Sequence, residues 1–385
     1  AMYVALARER GFDLNKLSGT VQADILKEYQ AQKEWIFPIR PSMRIVRDLI
    51  VYSARNLARY NPINISGYHI SEAGANAVQE LAFTMCNAVA YLHEVTQAGV
   101  QVDEFAPRLA FYFVAQNDFF EEVAKFRAAR RCWAKIARRF GAKKPDSMRL
   151  RFHCQTAAAT LTKPQPMNNI VRTALQALSA VLGGAQSLHT NGLDEAYAIP
   201  SETAMKVALR TQQIIADETR VGQVVDPLGG SWYVESLTKR MEDEVFAILD
   251  KVETMGGTVR AVEQGYFQRE IADTAYRTLR KKASGEMPVV GVNKYVDPPR
   301  QEQIEIHKID PEVEERQIAR TRSVRKERDG AKVASLLERL EREAGDPAAN
   351  LMPATIELVQ ARATMGEIVA RLKAVFGTYV ETPMF

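Results

Sequence analysis

Asn64-Ile65-Ser66-Gly67-Tyr68-His69-Ile70-Ser71-Glu72-Ala73-Gly74 decides the reading of the fold. Apolar and polar residues alternate up to a Tyr-His pair, and a helical pattern opens directly after it. The alternation predicts a strand over Asn64 to His69. A phenol and an imidazole then stand at its C-terminal tip, the end where parallel α/β sheets keep their chemistry. The arrangement recurs downstream. Met148 to Gln155 is a predicted strand ending in His153-Cys154-Gln155, and Ala185 to Asn191 is another, followed by Asp194-Glu195. Of 5 histidines, three (His69, His153 and His189) fall near strand ends.

Further strands are predicted over Leu17 to Gln22 and Arg108 to Val114. Between them lie helices: a short one through about Lys33, then Ser42 to Tyr60, then Glu72 to about Ala98 stopped by Gly99. Asp118 caps a helix to Phe140, Asn168 to Leu182 is helical, and Ser201 caps the next helix. About five βα units in series argue for a parallel sheet. Short strands at regular spacing suit a (β/α)8 barrel of the TIM type, about three strands short of closure. The opening residues, Ala1 to Gly11, read as the end of a helix stopped by Gly11. Upstream sequence, or another chain, is therefore expected to supply the remainder.

The character changes near Pro227. Two long helical patterns flank Gly256-Gly257, and Val289 to Tyr295 reads as one more strand-like piece. A connector at Asp297-Pro298-Pro299 leads to a charged helix, Pro311 to Glu343, and a last helix, Ala354 to Phe376, with Gly366 inside it. The expected divisions are 1–226 (partial barrel), 227–296 (helices packing on it) and 297–385 (connector and helical subunit-contact region).

Composition is that of an ordinary globular protein, with 385 residues, 46% hydrophobic and 25% charged. A net charge of +4 is too mild to argue for nucleic acid. No apolar run approaches the roughly 20 residues of a membrane span, and no signal peptide is visible. The 3 cysteines, Cys86, Cys132 and Cys154, form neither a disulfide framework nor a metal pattern. Cytoplasm is the default reading.

Many separate words carry a family resemblance: GTVQADILKEY at Gly19 to Tyr29, NISGYHISEAGA at Asn64 to Ala75, DEFAPRLAF at Asp103 to Phe111, RFHCQT at Arg151 to Thr156, NNIVRTALQAL at Asn168 to Leu178, GGAQSLHTNGLDEA at Gly183 to Ala196, DPLGGSWYVE at Asp226 to Glu235 and VVGVNKY at Val289 to Tyr295. In this order they resemble the large subunit of the coenzyme-B12-dependent acyl-CoA mutases, over essentially the whole chain. LNKLSGTVQADILKEY, RYNPINISGYHISEAG, LRFHCQTAAATLTKPQ, NLMPATIELV and GTYVETP are most similar to the branch acting on 2-hydroxyisobutyryl-CoA.

The resemblance implies a CoA-threaded barrel and a radical rearrangement in which the thioester group migrates to the adjacent carbon. Adenosylcobalamin does the difficult step, and the protein holds, shields and polarises. By similarity, His69 stabilises charge or spin on the thioester oxygen, Tyr68 is an aromatic wedge beside the substrate, and Gln22 hydrogen-bonds the substrate region. Glu72, His153, Gln155, Asn191 and Glu195 match positions facing cobalamin or its adenosyl group, and Arg108 matches a CoA contact. Ala110 departs from the serine of the methylmalonyl branch, which removes one CoA hydrogen bond. Each residue also has a plainer reading. A strand-end histidine can be a satisfied polar residue, Tyr68 can be core packing, Gln22 and Gln155 can cap backbone, Glu195 can be a first-turn acid, and Arg108 can pair with Asp103 or Glu104.

Gln32 bears on the substrate. The methylmalonyl branch has arginine here, suited to a second carboxylate. A neutral glutamine leaves no such cation, so a monocarboxylic acyl-CoA is expected. The most favoured reaction is 2-hydroxyisobutyryl-CoA to 3-hydroxybutyryl-CoA. An isobutyryl-CoA/n-butyryl-CoA mutase is the runner-up, since that branch also has glutamine, and a non-catalytic barrel fragment or assembly partner is the reading from another class. The chain lacks the Asp-x-His-x-x-Gly signature of a cobalamin domain. Within this family that implies a separate small cobalamin-binding subunit, in a heterotetramer of two large and two small subunits, with Pro311 to Phe385 as docking surface.

Overall fold

The computed structural model describes residues 1–298, 304 and 306–381. Pro299 of the predicted connector and the last four residues, which include Pro383 of the GTYVETP word, lie outside the described residues. Among the described residues, six short strands form two parallel sheets. β1 (Ser18–Thr20) pairs with β2 (Arg59–Asn61). β3 (Ile63–Ser66), β4 (Leu109–Ala115), β5 (Phe152–Thr156) and β6 (Ser187–His189) lie side by side in chain order. Helices Ala77–Gln97, Phe119–Arg139 and Asn168–Leu182 make the crossovers, and Glu202–Asp217 follows β6.

All five predicted strands are present, four of them shorter and β4 of the predicted length but one residue further on, and the first joins a different neighbour from the one expected. β1 pairs with β2, a segment read as the end of a helix; that helix is Ile39–Asn56 and stops four residues earlier than predicted. Pro62, with no N–H to give a ladder, separates β2 from β3. β3 ends at Ser66, three residues short of the prediction, because the chain turns at Gly67. A Cβ there would meet Thr84 Oγ1 at 2.5 Å and Glu80 Cγ at 2.8 Å. Tyr68 and His69 therefore open a one-turn helix, Tyr68–Glu72.

The long helix expected from Glu72 is interrupted at Gly74. Its φ is +113°, and a Cβ would lie 2.4 Å from that of Ala275. The chain restarts at Asn76, which forms a capping box with Gln79. The C-terminal patterns are likewise broken, into Pro311–Glu327, Gly330–Gly345, Met352–Gln360 and Met365–Phe376. Asp329 caps the second, and a Thr364–Glu367 capping box starts the last, so Gly366 lies in a first turn rather than inside a helix. Val289 to Tyr295 is a turn closed by one Val290–Lys294 bridge, with no strand.

β4 reads LAFYFVA and is covered on both faces, as buried parallel strands are. Side chains alternate across a sheet with period two. Phe111 and Phe113 face the helices, meeting Trp133 and Phe126. The other face carries Ser66 on β3, Tyr112 on β4, His153 and Gln155 on β5, and Ser187 and His189 on β6. A buried ionic group pins the tip of β4. Glu80 Oε1 accepts from Val114 N at 2.9 Å, and Lys125 Nζ donates to Val114 O (2.9 Å), Glu80 Oε2 (2.6 Å) and Glu122 Oε2 (2.5 Å).

The main core runs from Leu26 to Ile271 and takes in the Trp232–Thr254 helix, which packs on the crossovers. A second cluster joins Phe37 to Val333, Leu337, Leu340 and Leu372, and a third joins Ile356 to Val4 and Tyr52. The C-terminal helices thus pack back on the N-terminal ones. Arg44 ties them together by donating to the carbonyls of Glu343, Ala344, Asp346 and Ala349.

Candidate active site

Backbone register brings the predicted residues together. Ser66 pairs with Tyr112, Tyr112 with His153, and Gln155 with His189. Tyr68 stacks on Tyr112 with centroids 4.8 Å apart, and His69 meets the same ring edge-on at 5.8 Å. Gln155 joins three elements. Its amide donates to Tyr68 Oη (3.1 Å) and Asn191 Oδ1 (2.8 Å), and its carbonyl accepts from the Tyr112 hydroxyl. Asn191 is fixed in turn by Thr156, through Oγ1 at 3.0 Å and the carbonyl at 2.9 Å. His153 lies on the same face, bonded through Nδ1 to Ser187 Oγ at 2.8 Å and tilted against Tyr112.

His69 is oriented by Ser66, whose Oγ is 2.7 Å from Nδ1. Burial and the nearby Lys27 charge push its pKa down to about 3, so the ring is neutral. In the tautomer that lets Ser66 donate to Nδ1, Nε2 holds the proton and is a donor. Ser66 N donates to Asp24 Oδ2 at 2.8 Å, and Asp24 Oδ1 accepts from Tyr91 Oη at 2.6 Å. The segment after β1 is thereby pinned to the tip of β3.

Glu72 accepts from Ala159 N at 2.8 Å through Oε2, while buried Oε1 has no hydrogen-bond partner among the described residues. Burial raises its pKa to about 7 against the pull of the Ala159 and Ala158 amides, with the charge of Glu195 adding to the rise. Glu195 itself is raised by burial and by Asp194. Tyr68 is pushed well above the usual phenol range by burial, then by Glu72, so its hydroxyl stays protonated.

Gln22 and Gln32 complete the candidate set, and the expectation for Gln32 needs revision. Gln22 is exposed, two residues beyond β1, and is not joined to the Gln155 network by any hydrogen bond among the described residues. Gln32 does have a cation beside it: buried Lys27 donates to Gln32 Oε1 and, at 2.5 Å, to Glu28 Oε1. The spacing hid this contact, because Glu28–Gln32 is a π-turn rather than an α-helix. The cation is already matched by the carboxylate of Glu28.

Arg108 lies at the opposite end of the sheet, just before β4, and does not pair with Asp103, which instead accepts from Lys143 N, Lys144 N and Ser147 Oγ. With Arg149, Arg151, Pro107 and Asp146 it lines a pocket of about 140 Å³. Arg151 is held by Asn61 Oδ1 at 2.8 Å, and burial followed by the Arg108 charge lowers its pKa. Six strand residues at about 3.3 Å each separate this basic mouth from the level of Gln155, or about 20 Å. Sequence reading missed Ser66, Tyr112, Lys27, Arg149 and Arg151. A usable signal existed for the arginines, which stand two and four residues ahead of His153.

The site therefore has a basic mouth at one end of the sheet and, at the other, a neutral imidazole donor among phenols, an amide and two carboxylates. The profile of the methylmalonyl-CoA mutase family matches residues 1–378. The chain belongs to the methylmalonyl-CoA mutase family. It is 67% identical over 386 residues to the 2-hydroxyisobutanoyl-CoA mutase large subunit of Aquincola tertiaricarbonis, covering 100% of this chain and 69% of that protein. It is 44% identical to the methylmalonyl-CoA mutase of Rhizobium meliloti (strain 1021), covering 100% of this chain and 54% of that protein. The Escherichia coli (strain K12) methylmalonyl-CoA mutase is 42% identical over 99% of this chain and 53% of its own length. The chain thus spans about half the length of the methylmalonyl-CoA mutases it matches. Members of this family are isomerases of the mutase kind and use cobalamin. No helix among the described residues is long and apolar enough to cross a membrane.

Proposed function

We propose that this chain is the acyl-CoA-binding part of an adenosylcobalamin-dependent mutase that converts 2-hydroxyisobutyryl-CoA to 3-hydroxybutyryl-CoA. The observation that carries the reading is the neutral His69, held by Ser66 beside the Tyr68–Tyr112 stack, at the end of the sheet remote from the arginine pocket. The arginines would hold the phosphates of CoA, and the extended pantetheine arm would run along the strands to His69. This reading takes the sheet as part of a (β/α)8 barrel that encloses the arm. His69 Nε2–H would then face the thioester oxygen, where one preorganised donor contributes about 2–4 kcal/mol.

The residues fit the cofactor. The unpartnered oxygen of Glu72, with the charge of Glu195 acting on it, offers acceptors to the hydroxyl and amino groups of an adenosyl moiety, and Asn191, held by Gln155 and Thr156, would join them. When bound, adenosylcobalamin supplies the radical that starts the rearrangement. The stacked phenols and the Gln155 network keep water and rival hydrogen donors out. We take the cobalamin to be held mainly by a separate small subunit, with two copies of each chain in the assembly. The Pro311–Glu327 helix, which buries no residue within the chain, belongs to the docking surface. Three free, buried cysteines suit a reducing cytoplasm.

The test is product formation from 2-hydroxyisobutyryl-CoA by the chain in its assembled enzyme, with cobalamin-binding subunit and adenosylcobalamin each omitted in turn. Product should require all three. Turnover without the cofactor, or none with everything present, overturns the proposal.

A further inference from the structure

Lys27 is a lysine in an unusual place. Its side chain is 2% exposed, it lies beside His69, and its ammonium contacts both Glu28 and Gln32. Residues 27 and 32 are five apart. In an α-helix that spacing turns side chains away from each other, but the Glu28–Gln32 segment is a π-turn, closed by Lys33 N to Glu28 O at 2.9 Å. The i to i+5 closure brings Lys27 and Gln32 to one face, and such turns are frequent at functional sites. Lys33 ends the turn in the left-handed region at φ 68°. The segment packs against the Tyr68–Glu72 helix, which carries the candidate catalytic pair.

The chemistry of the contact fixes a direction. An ammonium has three donors and no acceptor, so only the oxygen of the Gln32 amide can face it. The carboxylate of Glu28 holds the ammonium in place and also accepts from Glu34 N at 3.2 Å. Gln32 is left with its NH2 group pointing the other way.

We propose that Lys27 is the positioning residue for Gln32: it holds the amide oxygen inward, so that Gln32 presents N–H donors to the acyl end of the substrate. This rests on the reading of Gln32 as an acyl-facing residue in a mutase. The group it receives is an acceptor, such as the oxygen of a 2-hydroxyl. A hydrogen in its place leaves the N–H unmatched in a dry pocket, which is costly. A freely rotating amide would offer oxygen or nitrogen alike and discriminate less.

The experiment measures kcat/KM for 2-hydroxyisobutyryl-CoA and isobutyryl-CoA with the assembled two-subunit enzyme. Removing Lys27 alone strands a buried carboxylate, so the informative variant is Lys27→Met with Glu28→Gln, which removes both charges together. The preference for the hydroxylated substrate should fall about tenfold, the scale of one hydrogen bond. Gln32→Leu should lower it similarly, and the triple variant should fall no further, as expected of residues acting as one unit. Equal losses on both substrates, or additive losses in the triple variant, overturn the proposal. A crystal structure of the assembled enzyme gives a check independent of substrate. Gln32 Oε1 should lie against Lys27 Nζ, and a Gln32 side chain turned away from Lys27 defeats the proposal. A wild-type enzyme that prefers isobutyryl-CoA while keeping this contact overturns the substrate reading alone.

Discussion

Tyr68 and Tyr112 stack with their ring planes 4° apart and centroids 4.8 Å apart, although 44 residues separate them in the chain. The Ser66–Tyr112 register places the second ring beneath the turn that carries the first. Both hydroxyls converge on the side chain of Gln155. A wall of the candidate site is thus built from three consecutive βα units.

Tyr112→Phe keeps the ring and removes the donor to Gln155. The expected result is a three- to tenfold lower kcat/KM, the scale of one hydrogen bond, with little change in thermal midpoint. Gln155→Leu severs links to Tyr68, Tyr112 and Asn191 together and should cost more. Steady-state kinetics with both variants checks the order.

His69→Ala should slow turnover by about 10²–10³, the range for losing one preorganised donor, with acyl-CoA binding little changed. The ring also sets a stability trend. Its folded pKa, about 3, lies below its ordinary 6.5, so protonation favours the unfolded chain. Its contribution is constant above pH 6.5 and is lost as pH falls from 6.5 towards 3. Urea titrations at pH 7.5 and 5 should show a smaller acid loss in His69→Ala than in wild type.

Glu72 has the opposite sign. Its folded pKa, about 7, lies above the ordinary 4.5. The stability tied to its protonated form is full below pH 4.5 and is lost as pH rises through 7. Without bound cofactor, Glu72→Gln should therefore melt at a higher temperature than wild type at pH 8 and no higher at pH 4.5. Calorimetry at the two pH values checks this, and a stabilisation independent of pH would contradict it.

Lys125 sits wholly buried between Glu80 and Glu122. Burial acts against its charge, but the two carboxylates outweigh it and hold its pKa above the ordinary value. Lys125→Met leaves them uncompensated at the tip of β4 and should cost about 3–5 kcal/mol in chemical denaturation. Adding Glu80→Gln and Glu122→Gln should restore part of that loss.

Local signals made much of the fold legible. β4 stood out as an apolar run, the Asn168–Leu182 helix had the predicted bounds, and Asp118 and Ser201 cap helices as predicted. Breaks were harder to see. Gly67 and Gly74 end elements through contacts with Glu80, Thr84 and Ala275, which are remote in sequence. The caps at Asn76, Asp329 and Thr364 were hidden inside longer apolar or charged patterns. At the site, residue types at strand ends pointed to Tyr68, His69, His153, Gln155 and Asn191. Tyr112 was lost within an aromatic run that masks the alternation of β4. Lys27 was lost because a π-turn alters which residues share a face.

Substrate choice turns on the charge around Gln32. Gln32 faces a cation already balanced by Glu28, so a second substrate carboxylate entering a dry pocket would lack compensation. The most direct measurement is kcat/KM for 2-hydroxyisobutyryl-CoA, isobutyryl-CoA and methylmalonyl-CoA with the assembled enzyme and adenosylcobalamin. The hydroxylated substrate should lead and methylmalonyl-CoA should be strongly rejected; a preference for methylmalonyl-CoA would contradict the account.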